Sequence, residues 1–288
     1  MSTGRRIATA QAVAAFRAAE HLRPADERIF DDPFAELFVT NRWLLRMLAR
    51  PRLTRAVVRW RDLFASPGII NGAMLRYRYA DDALRDAAES GIRQLVLIGA
   101  GFDSTGLRRP AGDGVSIFEL DLPHVLETKR ELLAERDAYG ATRVPCDLAN
   151  ETISDALSRT GFARDEPALF NWLGVTMFLE QGAVEATVRD LASLAAPRSR
   201  LLFDYVDRSV VDGTTGDRDA RRTARVVRRR GEPFRFGLTR DEAVPWVEGL
   251  GFQVLRHEQP DTVIRRYFPD RPSLPAPAYF ALVLAERG

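Results

Sequence analysis

An apolar run that leads into two closely spaced glycines constrains this chain more than any other segment. Residues 95–98 are continuously apolar and are followed by Gly99-Ala100-Gly101-Phe102-Asp103-Ser104. A short run of that kind is typical of a buried strand. Glycines let the backbone turn sharply and approach a ligand closely, because they carry no Cβ. The segment therefore predicts a strand, a glycine turn and a helix start, the arrangement with which open α/β folds hold a nucleotide-like cofactor.

The carboxylate of Asp103 narrows the class of ligand. It stands where a dinucleotide-binding turn has its third glycine. A helix N-terminus that receives pyrophosphate presents bare N–H groups, and a negative side chain there would repel the phosphates. The turn therefore favours an adenosine cofactor that lacks phosphates and carries positive charge, which indicates S-adenosyl-L-methionine.

Composition places the chain among ordinary globular proteins. It has 288 residues, of which 45% are hydrophobic and 28% charged. No apolar run approaches the roughly 20 residues that span a bilayer, and the first fifteen residues lack the apolar core of a secretory signal. Cys146 is the single cysteine, which excludes an intrachain disulfide and a cysteine-based zinc site. We expect a cytoplasmic protein without a membrane partner.

The charge distribution gives little support for nucleic-acid binding. The net charge is only +2. The basic residues cluster at 221–230, where no aromatic side chains interleave as a base-stacking surface would need. We expect this cluster to form a solvated helix face or part of a mobile lid, with an anionic ligand or partner as the alternative. The sequence does not predict an oligomeric state.

The secondary-structure pattern predicts one α/β domain over residues 1–288. Residues 1–90 are predicted to form a helical cap, and residues 91–206 a cofactor-binding core of alternating strands and helices. Such alternation is typical of a mostly parallel sheet covered on both faces. Residues 207–237 are the candidate insertion or lid, and residues 238–288 complete the sheet. We expect a Rossmann-like methyltransferase fold with seven strands, the last of them antiparallel, because a dehydrogenase domain would continue with another parallel unit.

The element bounds follow from periodicity and from Gly and Pro signals. The predicted strands are residues 94–98, 115–120, 142–145, 168–173, 200–205, 252–257 and 278–284. The predicted helices are residues 8–20, 43–64, 69–89, 123–137, 151–159, 181–195 and 239–249. A further short helix is predicted near Phe34, with Asp32 as its N-cap and Pro33 as its first residue.

Asp121 is the candidate residue for a ribose. It follows the second predicted strand, 22 positions after Gly99 (121 − 99). An acidic residue at about that distance can accept hydrogen bonds from both ribose hydroxyls. The spacing suits NAD and S-adenosyl-L-methionine equally. Glu119 points to the same strand face and is the substitute candidate, and a plain helix cap before Pro123 is the structural alternative for Asp121.

Two further segments supply polar groups near the predicted sheet edge. Asp147 and Leu148 follow the third strand, where a carboxylate can accept from an adenine amino group while leucine packs on the ring. The alternative is that Asp147 caps the following helix. Arg76 lies in the helix before the first strand and could pair bidentately with the carboxylate of a methionine moiety. Without a family context, an ordinary arginine on a helix face is the simpler interpretation.

No pattern in the sequence requires a metal or a covalent intermediate. None of His21, His124 and His257 has the spacing of a metal-ligand pair. There is no GxSxG segment, no Walker A loop and no recognisable Ser/His/Asp pattern. We therefore predict no metal site.

Several motifs in the same order resemble the leucine carboxyl methyltransferase-like family of class I S-adenosylmethionine-dependent O-methyltransferases, in particular a bacterial subgroup. The motifs are Arg17-Ala18-Ala19-Glu20, Phe30-Asp31-Asp32-Pro33-Phe34-Ala35, Arg76-Tyr77-Arg78, Leu97-Ile98-Gly99-Ala100-Gly101-Phe102-Asp103-Ser104, Phe118-Glu119-Leu120-Asp121-Leu122-Pro123 with Lys129, and Phe170-Asn171-Trp172-Leu173-Gly174-Val175-Thr176-Met177-Phe178-Leu179.

The resemblance implies S-adenosyl-L-methionine as cofactor and a small-molecule acceptor. The cofactor-binding residues it implies are Arg76 for the methionine carboxylate, Gly99, Ala100 and Gly101 for the turn, Asp121 with Leu122 at the ribose, and Asp147 with Leu148 at the adenine. One departure concerns the substrate side, because many members carry a glutamate after the fourth strand, where this chain has Trp172-Leu173-Gly174.

The reaction expected is direct in-line methyl transfer to oxygen. An ionised carboxylate acceptor needs no general base, whereas a hydroxyl needs one. The candidates for a base are His124, His257 and Tyr205, and none is compelling, which favours a carboxylate acceptor. Two other functions stay open from the sequence: an NAD-dependent Rossmann oxidoreductase, and a non-catalytic cofactor-binding protein with the same fold.

Overall fold

Strands form at the apolar runs of the sequence. The computed structural model describes residues 3–64, 68–109, 113–133 and 140–288. The strands are β1 (Gln94–Ile98), β2 (Ser116–Asp121), β3 (Ala141–Pro145), β4 (Ala168–Trp172), β5 (Arg200–Asp207), β6 (Gly237–Leu238), β7 (Gln253–Glu258) and β8 (Phe280–Glu286).

Helices alternate with these strands and also form the N-terminal part. They are α1 (Thr3–His21), α2 (Arg42–Leu48), α3 (Pro51–Phe64), α4 (Ile69–Glu89), α5 (Thr105–Arg108), α6 (Pro123–Leu132), α7 (Ile153–Ser158), α8 (Gln181–Leu194), α9 (Arg208–Val211), α10 (Arg218–Arg229), α11 (Arg240–Glu248) and α12 (Pro260–Tyr267). Among the described residues, no helix has both the length and the apolar character needed to cross a membrane.

The sheet has the order β3-β2-β1-β4-β5-β8-β7, with the two-residue β6 beside β5. All neighbours pair in parallel except that β8 runs antiparallel to both β5 and β7. Alternate residues of β1 enter opposite cores: Val96 and Ile98 pack on one face, and Leu95 and Leu97 on the other. Both faces of β1 are covered, which explains why its sequence is continuously apolar instead of alternating.

The class I methyltransferase fold expected from the sequence is confirmed, with several corrections to its elements. The sheet has an eighth strand, β6, which is too short to show in the apolar pattern. Helix α12 was not predicted. The region predicted as one helix over residues 43–64 is two helices, because a new one begins at Pro51. Helix α6 ends at Leu132, and the end of the helix predicted to reach residue 137 lies outside the described residues.

The prediction that Asp32 caps a helix starting at Pro33 is correct in its hydrogen bond and wrong in the helix start. Oδ1 of Asp32 accepts from the Phe34 amide at 3.1 Å, but the short helix is of the 3-10 type and begins only at Ala35. The other carboxylate oxygen, Oδ2, accepts from the Ser104 hydroxyl (2.6 Å) and lies 3.0 Å from Nε of Arg17. Asp32 is 1% exposed. Asp32 therefore ties the N-terminal segment to the helix start after the glycine turn.

The sheet order determines where a ligand can bind. β1 lies between β2 and β4. The connection from β2 to β3 and the connection from β4 to β5 therefore run over opposite faces of the sheet. A crevice opens at the carboxyl ends of strands at such a switch point. The glycine turn follows β1 directly, and Asp121 ends β2. The fold therefore brings these two predicted site segments to one edge.

Candidate cofactor site

The glycine turn adopts a conformation that requires glycine. Gly99 has φ +69° and Gly101 has φ +51°, both in the left-handed region. A Cβ built on Gly99 would lie 2.5 Å from Cγ2 of Val175, so the turn packs directly against the loop after β4. The amides of Gly99 and Ala100 both donate to the Leu120 carbonyl, at 2.9 and 3.0 Å. These bonds hold the turn against the end of β2.

A cavity of about 360 Å³ opens beside this turn. Its sheet-side wall consists of residues 97–103, Asp121, Asn171 and residues 173–175. Helices α1 and α4 contribute Thr9, Ala10, Val13, Arg17, Ile69, Arg76 and Tyr77. The remaining wall contains Val125, Met177, Phe178, Leu179, Thr223, Val227, Glu232, Phe234 and Phe280. The N-terminal cap and the segment after β5 thus enclose the crevice at the sheet edge.

Asp121 lines the cavity and also fixes the turn. One carboxylate oxygen accepts from the Gly101 amide and the other from the Leu122 amide, each at 2.7 Å. Glu119, the substitute candidate, does not line the cavity. It is fully buried, and both its oxygens lie 2.8 Å from Nζ of Lys129. Of the two acidic residues on β2, only Asp121 is placed to contact a ligand in this cavity.

Asp103 lines the cavity as a carboxylate at the start of α5. One of its oxygens accepts from the Thr105 amide at 2.7 Å, so an N–H at this helix start already has an anionic partner. Burial by itself raises the pKa of Asp103. The positive charges of Arg108, Lys129 and Arg17 outweigh that effect, and the pKa is lower than that of an ordinary aspartate. The cavity wall therefore has a fixed negative charge at neutral pH.

Arg76 lines the cavity as predicted and is held by a buried aspartate. Its Nη1 lies 2.6 Å from Oδ2 of Asp204, which is fully buried on β5. The other Asp204 oxygen accepts from the Gly174 amide at 2.7 Å. The Arg76 guanidinium also stacks 4.9 Å from the Phe280 ring centre. Sequence analysis missed Asp204, although a charged residue inside the apolar run of β5 was a usable signal.

Arg17 is a second cavity-lining cation, and sequence analysis gave it no role in binding. Its side chain is 1% exposed, donates to the Phe102 carbonyl and stacks 4.9 Å from the Tyr77 ring centre. A buried arginine next to the glycine turn anchors α1 across the cavity. The signal available was the Arg17-Ala18-Ala19-Glu20 motif itself, since an arginine in an alanine-rich helix indicates a special environment.

The end of β4 adds an unpaired polar group to the cavity wall. The buried Oδ1 of Asn171 has no hydrogen-bond partner within the part of the chain that the structure describes. A buried amide oxygen without a partner costs free energy, so a donor from a ligand would stabilise it. Leu173, within the Trp172-Leu173-Gly174 segment that departs from the family pattern, presents an apolar side chain to the same cavity.

Three predicted site residues lie outside the cavity wall: Leu122, Asp147 and Leu148. Asp147 accepts from the Ala149 amide (3.1 Å) and the Asn150 side-chain amide (2.8 Å) within a local turn. The capping role considered as its alternative is wrong, because α7 begins at Ile153 and its N-cap is Thr152. Leu122 packs with the N-terminal helices, and Leu148 packs against the core beneath β3.

The three side chains considered as general bases also lie away from the cavity. Tyr205 and His257 bond to each other, with 2.7 Å between Oη and Nε2, and neither lines the wall. Burial raises the pKa of Tyr205 above its ordinary value. His124 does not line the wall either. Within the described residues, no group of three or more His, Cys, Asp or Glu side chains is arranged to hold a metal ion.

Comparisons with known proteins agree with this fold. Residues 10–192 match the family model of leucine carboxyl methyltransferase. A protein of Mycolicibacterium paratuberculosis, named "Putative S-adenosyl-L-methionine-dependent methyltransferase", is 30% identical over 286 residues, which cover 95% of this chain and 85% of the relative.

Two solved structures share the fold at low sequence identity. One is described as a "putative methyltransferase" from Thermobifida fusca (TM-score 0.59, 17% identity, 82% of this chain and 88% of that one). The other is a DUF574 family protein from Streptomyces avermitilis (TM-score 0.57, 15% identity, 95% and 97%). The family match spans more than half of the chain and includes the glycine turn and Asp121. The chain therefore belongs to the leucine carboxyl methyltransferase family of S-adenosyl-L-methionine-dependent methyltransferases.

Proposed function

We propose that this protein transfers the methyl group of S-adenosyl-L-methionine directly to an oxygen of a small-molecule carboxylate or hydroxyl. The observation that carries the proposal is the Asp103 carboxylate at the helix start beside the glycine turn. Its bond to the Thr105 amide occupies an N–H that a pyrophosphate would need, and its charge attracts a cation. When bound, the cofactor supplies a reactive methyl sulfonium, so the protein contributes mainly proximity and alignment.

Charged groups at one part of the cavity suit the amino-acid end of this cofactor. We assign the methionine carboxylate to Arg76, whose guanidinium is oriented by Asp204, and place Gly99, Ala100 and Gly101 beneath the methionine chain. The cofactor ammonium would be attracted by Asp103. It could also donate to the unpaired Oδ1 of Asn171.

The nucleoside end is assigned to Asp121. Asp121 lines the cavity beside the glycine turn that its oxygens hold, and a carboxylate oxygen can accept more than one hydrogen bond, which suits contact with a ribose. Leu122, Asp147 and Leu148 remain our assignment for the adenine side. They lie outside the present cavity wall, so this assignment requires the ring to bind beyond Asp121 toward β3. Asp121 is therefore the better supported of the two contacts.

A binding comparison separates this function from the NAD-dependent alternative. S-adenosylhomocysteine is expected to raise the unfolding temperature in a thermal-shift titration, whereas NADH is expected to leave it unchanged. Stabilisation by NADH alone would contradict the proposal. No binding of either compound would favour a protein that keeps the fold without using the cofactor.

Transfer of a radiolabelled methyl group to a panel of carboxylic acids and phenols tests the oxygen acceptor. Esters release the label in mild base and aryl ethers keep it, so base lability of the product distinguishes the two acceptor classes. Label appearing only on nitrogen or sulfur nucleophiles would contradict O-methylation.

We also propose a cytoplasmic location. The single thiol, Cys146, is buried and unpaired, which fits a reducing compartment.

A further inference from the structure

A group of aromatic and aliphatic side chains forms the cavity wall contributed by the segments after β4 and β5. Phe178 and Phe234 have ring centres 5.6 Å apart, and Met177 and Val227 extend the same apolar surface. Met177 and Phe234 pack with the residues of α9 and α10 in a small core of their own. We call this part of the cavity the acceptor chamber, because the assigned cofactor contacts lie on the glycine turn and at Arg76.

Glu232 brings a carboxylate to this apolar chamber. It follows α10, is 9% exposed and lines the cavity. Its amide donates to the Val227 carbonyl at 3.0 Å, which fixes its backbone to the end of the helix. The Thr9 hydroxyl of α1 donates to its Oε2 at 3.1 Å. No described residue bonds its Oε1, so one oxygen of this nearly buried carboxylate is available to a ligand.

The charge of Glu232 discriminates between the two acceptor classes. A carboxylate acceptor would bring a second negative charge next to Glu232 within a partly dehydrated apolar wall, where like charges repel strongly. A hydroxyl acceptor would donate a hydrogen bond to it. The tyrosine and histidines that the sequence offered as bases lie outside the cavity, whereas Glu232 lies in its wall.

We infer, on the basis of the proposed function, that the acceptor is a phenolic hydroxyl and that Glu232 takes its proton. The acceptor O–H bond breaks, its proton passes to a Glu232 oxygen, and its electron pair stays on the acceptor oxygen. That oxygen forms the new O–CH₃ bond as the S–CH₃ bond breaks, and the electron pair of the broken bond stays on sulfur as a thioether. The aromatic chamber favours a phenol over an aliphatic alcohol, and the greater acidity of phenols suits a carboxylate base.

Binding to the protein loaded with S-adenosylhomocysteine tests the charge argument without turnover. Calorimetric titrations with para-substituted phenols and the matching benzoates are expected to show at least tenfold tighter binding of the phenols. Glu232→Gln is expected to reduce that preference by improving benzoate binding. Glu248→Gln removes an exposed carboxylate outside the cavity and is expected to leave both affinities unchanged.

Turnover tests the proton transfer. Glu232→Gln is expected to slow methylation of weakly acidic phenols by about 100-fold, within the range that general-base catalysis supplies. It is expected to slow methylation of nitrophenols by less than threefold at pH 8, because these are already ionised. Thr9→Val leaves the carboxylate in place but removes the hydroxyl that positions it, and is expected to slow methylation of weakly acidic phenols more than that of nitrophenols.

Different experimental results would contradict this inference and the proposed function. If S-adenosylhomocysteine does not bind the wild type, the proposed function fails. If it binds and the protein prefers benzoates, or accepts neither class, the phenol assignment is wrong. Equal rate losses for acidic and weakly acidic phenols in Glu232→Gln would contradict the role as proton acceptor. If Glu232→Gln does not fold, the rates of Thr9→Val with the two kinds of phenol and the wild-type preference between phenols and benzoates still decide the matter.

Discussion

At the scale of single residues, Asp121 has two tasks that one substitution would expose. Its carboxylate fixes the Gly101 and Leu122 amides, and we propose that it also accepts from a ribose. Asp121→Ala is expected to weaken S-adenosylhomocysteine binding by 10- to 100-fold, since hydrogen bonds to a charged group contribute about 1.5–3 kcal/mol each. Isothermal calorimetry measures this directly.

The matched control for this experiment is Asp270→Ala. Asp270 is an exposed aspartate that does not line the cavity, and its removal is expected to leave the affinity unchanged. Wild-type affinity in Asp121→Ala would remove the ribose assignment. A loss confined to folding stability, with normal affinity in the folded fraction, would reduce the role of Asp121 to support of the turn.

His257 makes folding stability depend on pH. Burial, followed by the charge of Arg240, lowers its pKa in the folded protein below the ordinary 6.5. The unfolded chain therefore binds a proton at higher pH than the folded one does. The stabilising contribution is present above pH 6.5 and is lost as the pH falls toward the folded pKa. Urea unfolding is expected to show a larger loss of stability between pH 8 and pH 5.5 in the wild type than in His257→Gln. Identical losses would contradict this assignment.

At the scale of elements, one buried ion pair joins β2 to α6. Glu119 and Lys129 are both fully buried, and Lys129 is the only lysine of the chain. Removing one partner would leave an uncompensated charge in the core. Lys129→Met is therefore expected to destabilise the fold by about 3–5 kcal/mol in urea unfolding.

The double variant provides the control for this pair. Glu119→Leu combined with Lys129→Met removes both charges and is expected to recover much of the stability lost in Lys129→Met. If the free energy of unfolding of Lys129→Met lies within about 0.5 kcal/mol of the wild-type value, the ion pair is not needed for stability.

At the scale of the whole molecule, the N-terminal cap and the segment 207–237 meet across the cavity. Thr9 of α1 bonds Glu232, although the two residues are 223 positions apart in the chain. The Ala10 Cβ lies 3.7 Å from where a Cβ on Gly101 would be, so α1 covers the glycine turn. We propose that both segments close over bound ligands, because both contribute to the cavity wall.

Hydrogen exchange tests this closure. S-adenosylhomocysteine is expected to slow amide exchange in α1 by at least threefold, because the cofactor would contact its cavity-lining face, with protection extending to residues 223–234. Helix α11, which lines no part of the cavity, serves as the internal reference and is expected to keep its rates. Equal protection in α11 would indicate global stabilisation instead of local closure.

Prediction from sequence was most accurate where structure depends on local pattern. The bounds of β1 match the prediction because four consecutive apolar residues, 95–98, give an unambiguous run, and all five strand positions are buried. The helix α4 likewise matches, ending where Ser90 and Gly91 interrupt it. The two-residue β6 was missed because it is too short to have a period. The helix α12 was missed because it begins at Pro260 and has a largely polar sequence.

Within the site, motif spacing and residue chemistry pointed to the glycine turn, Asp103 and Asp121 individually, whereas Arg76 was identified only through the family resemblance. The tertiary structure alone decided that Arg17, Asn171 and Glu232 share their cavity, and that Tyr205 and His257 do not. The physical reason is distance along the chain. A turn or a strand is encoded by neighbouring residues, whereas contact between α1 and the segment after α10 depends on how the whole sheet positions the elements around it.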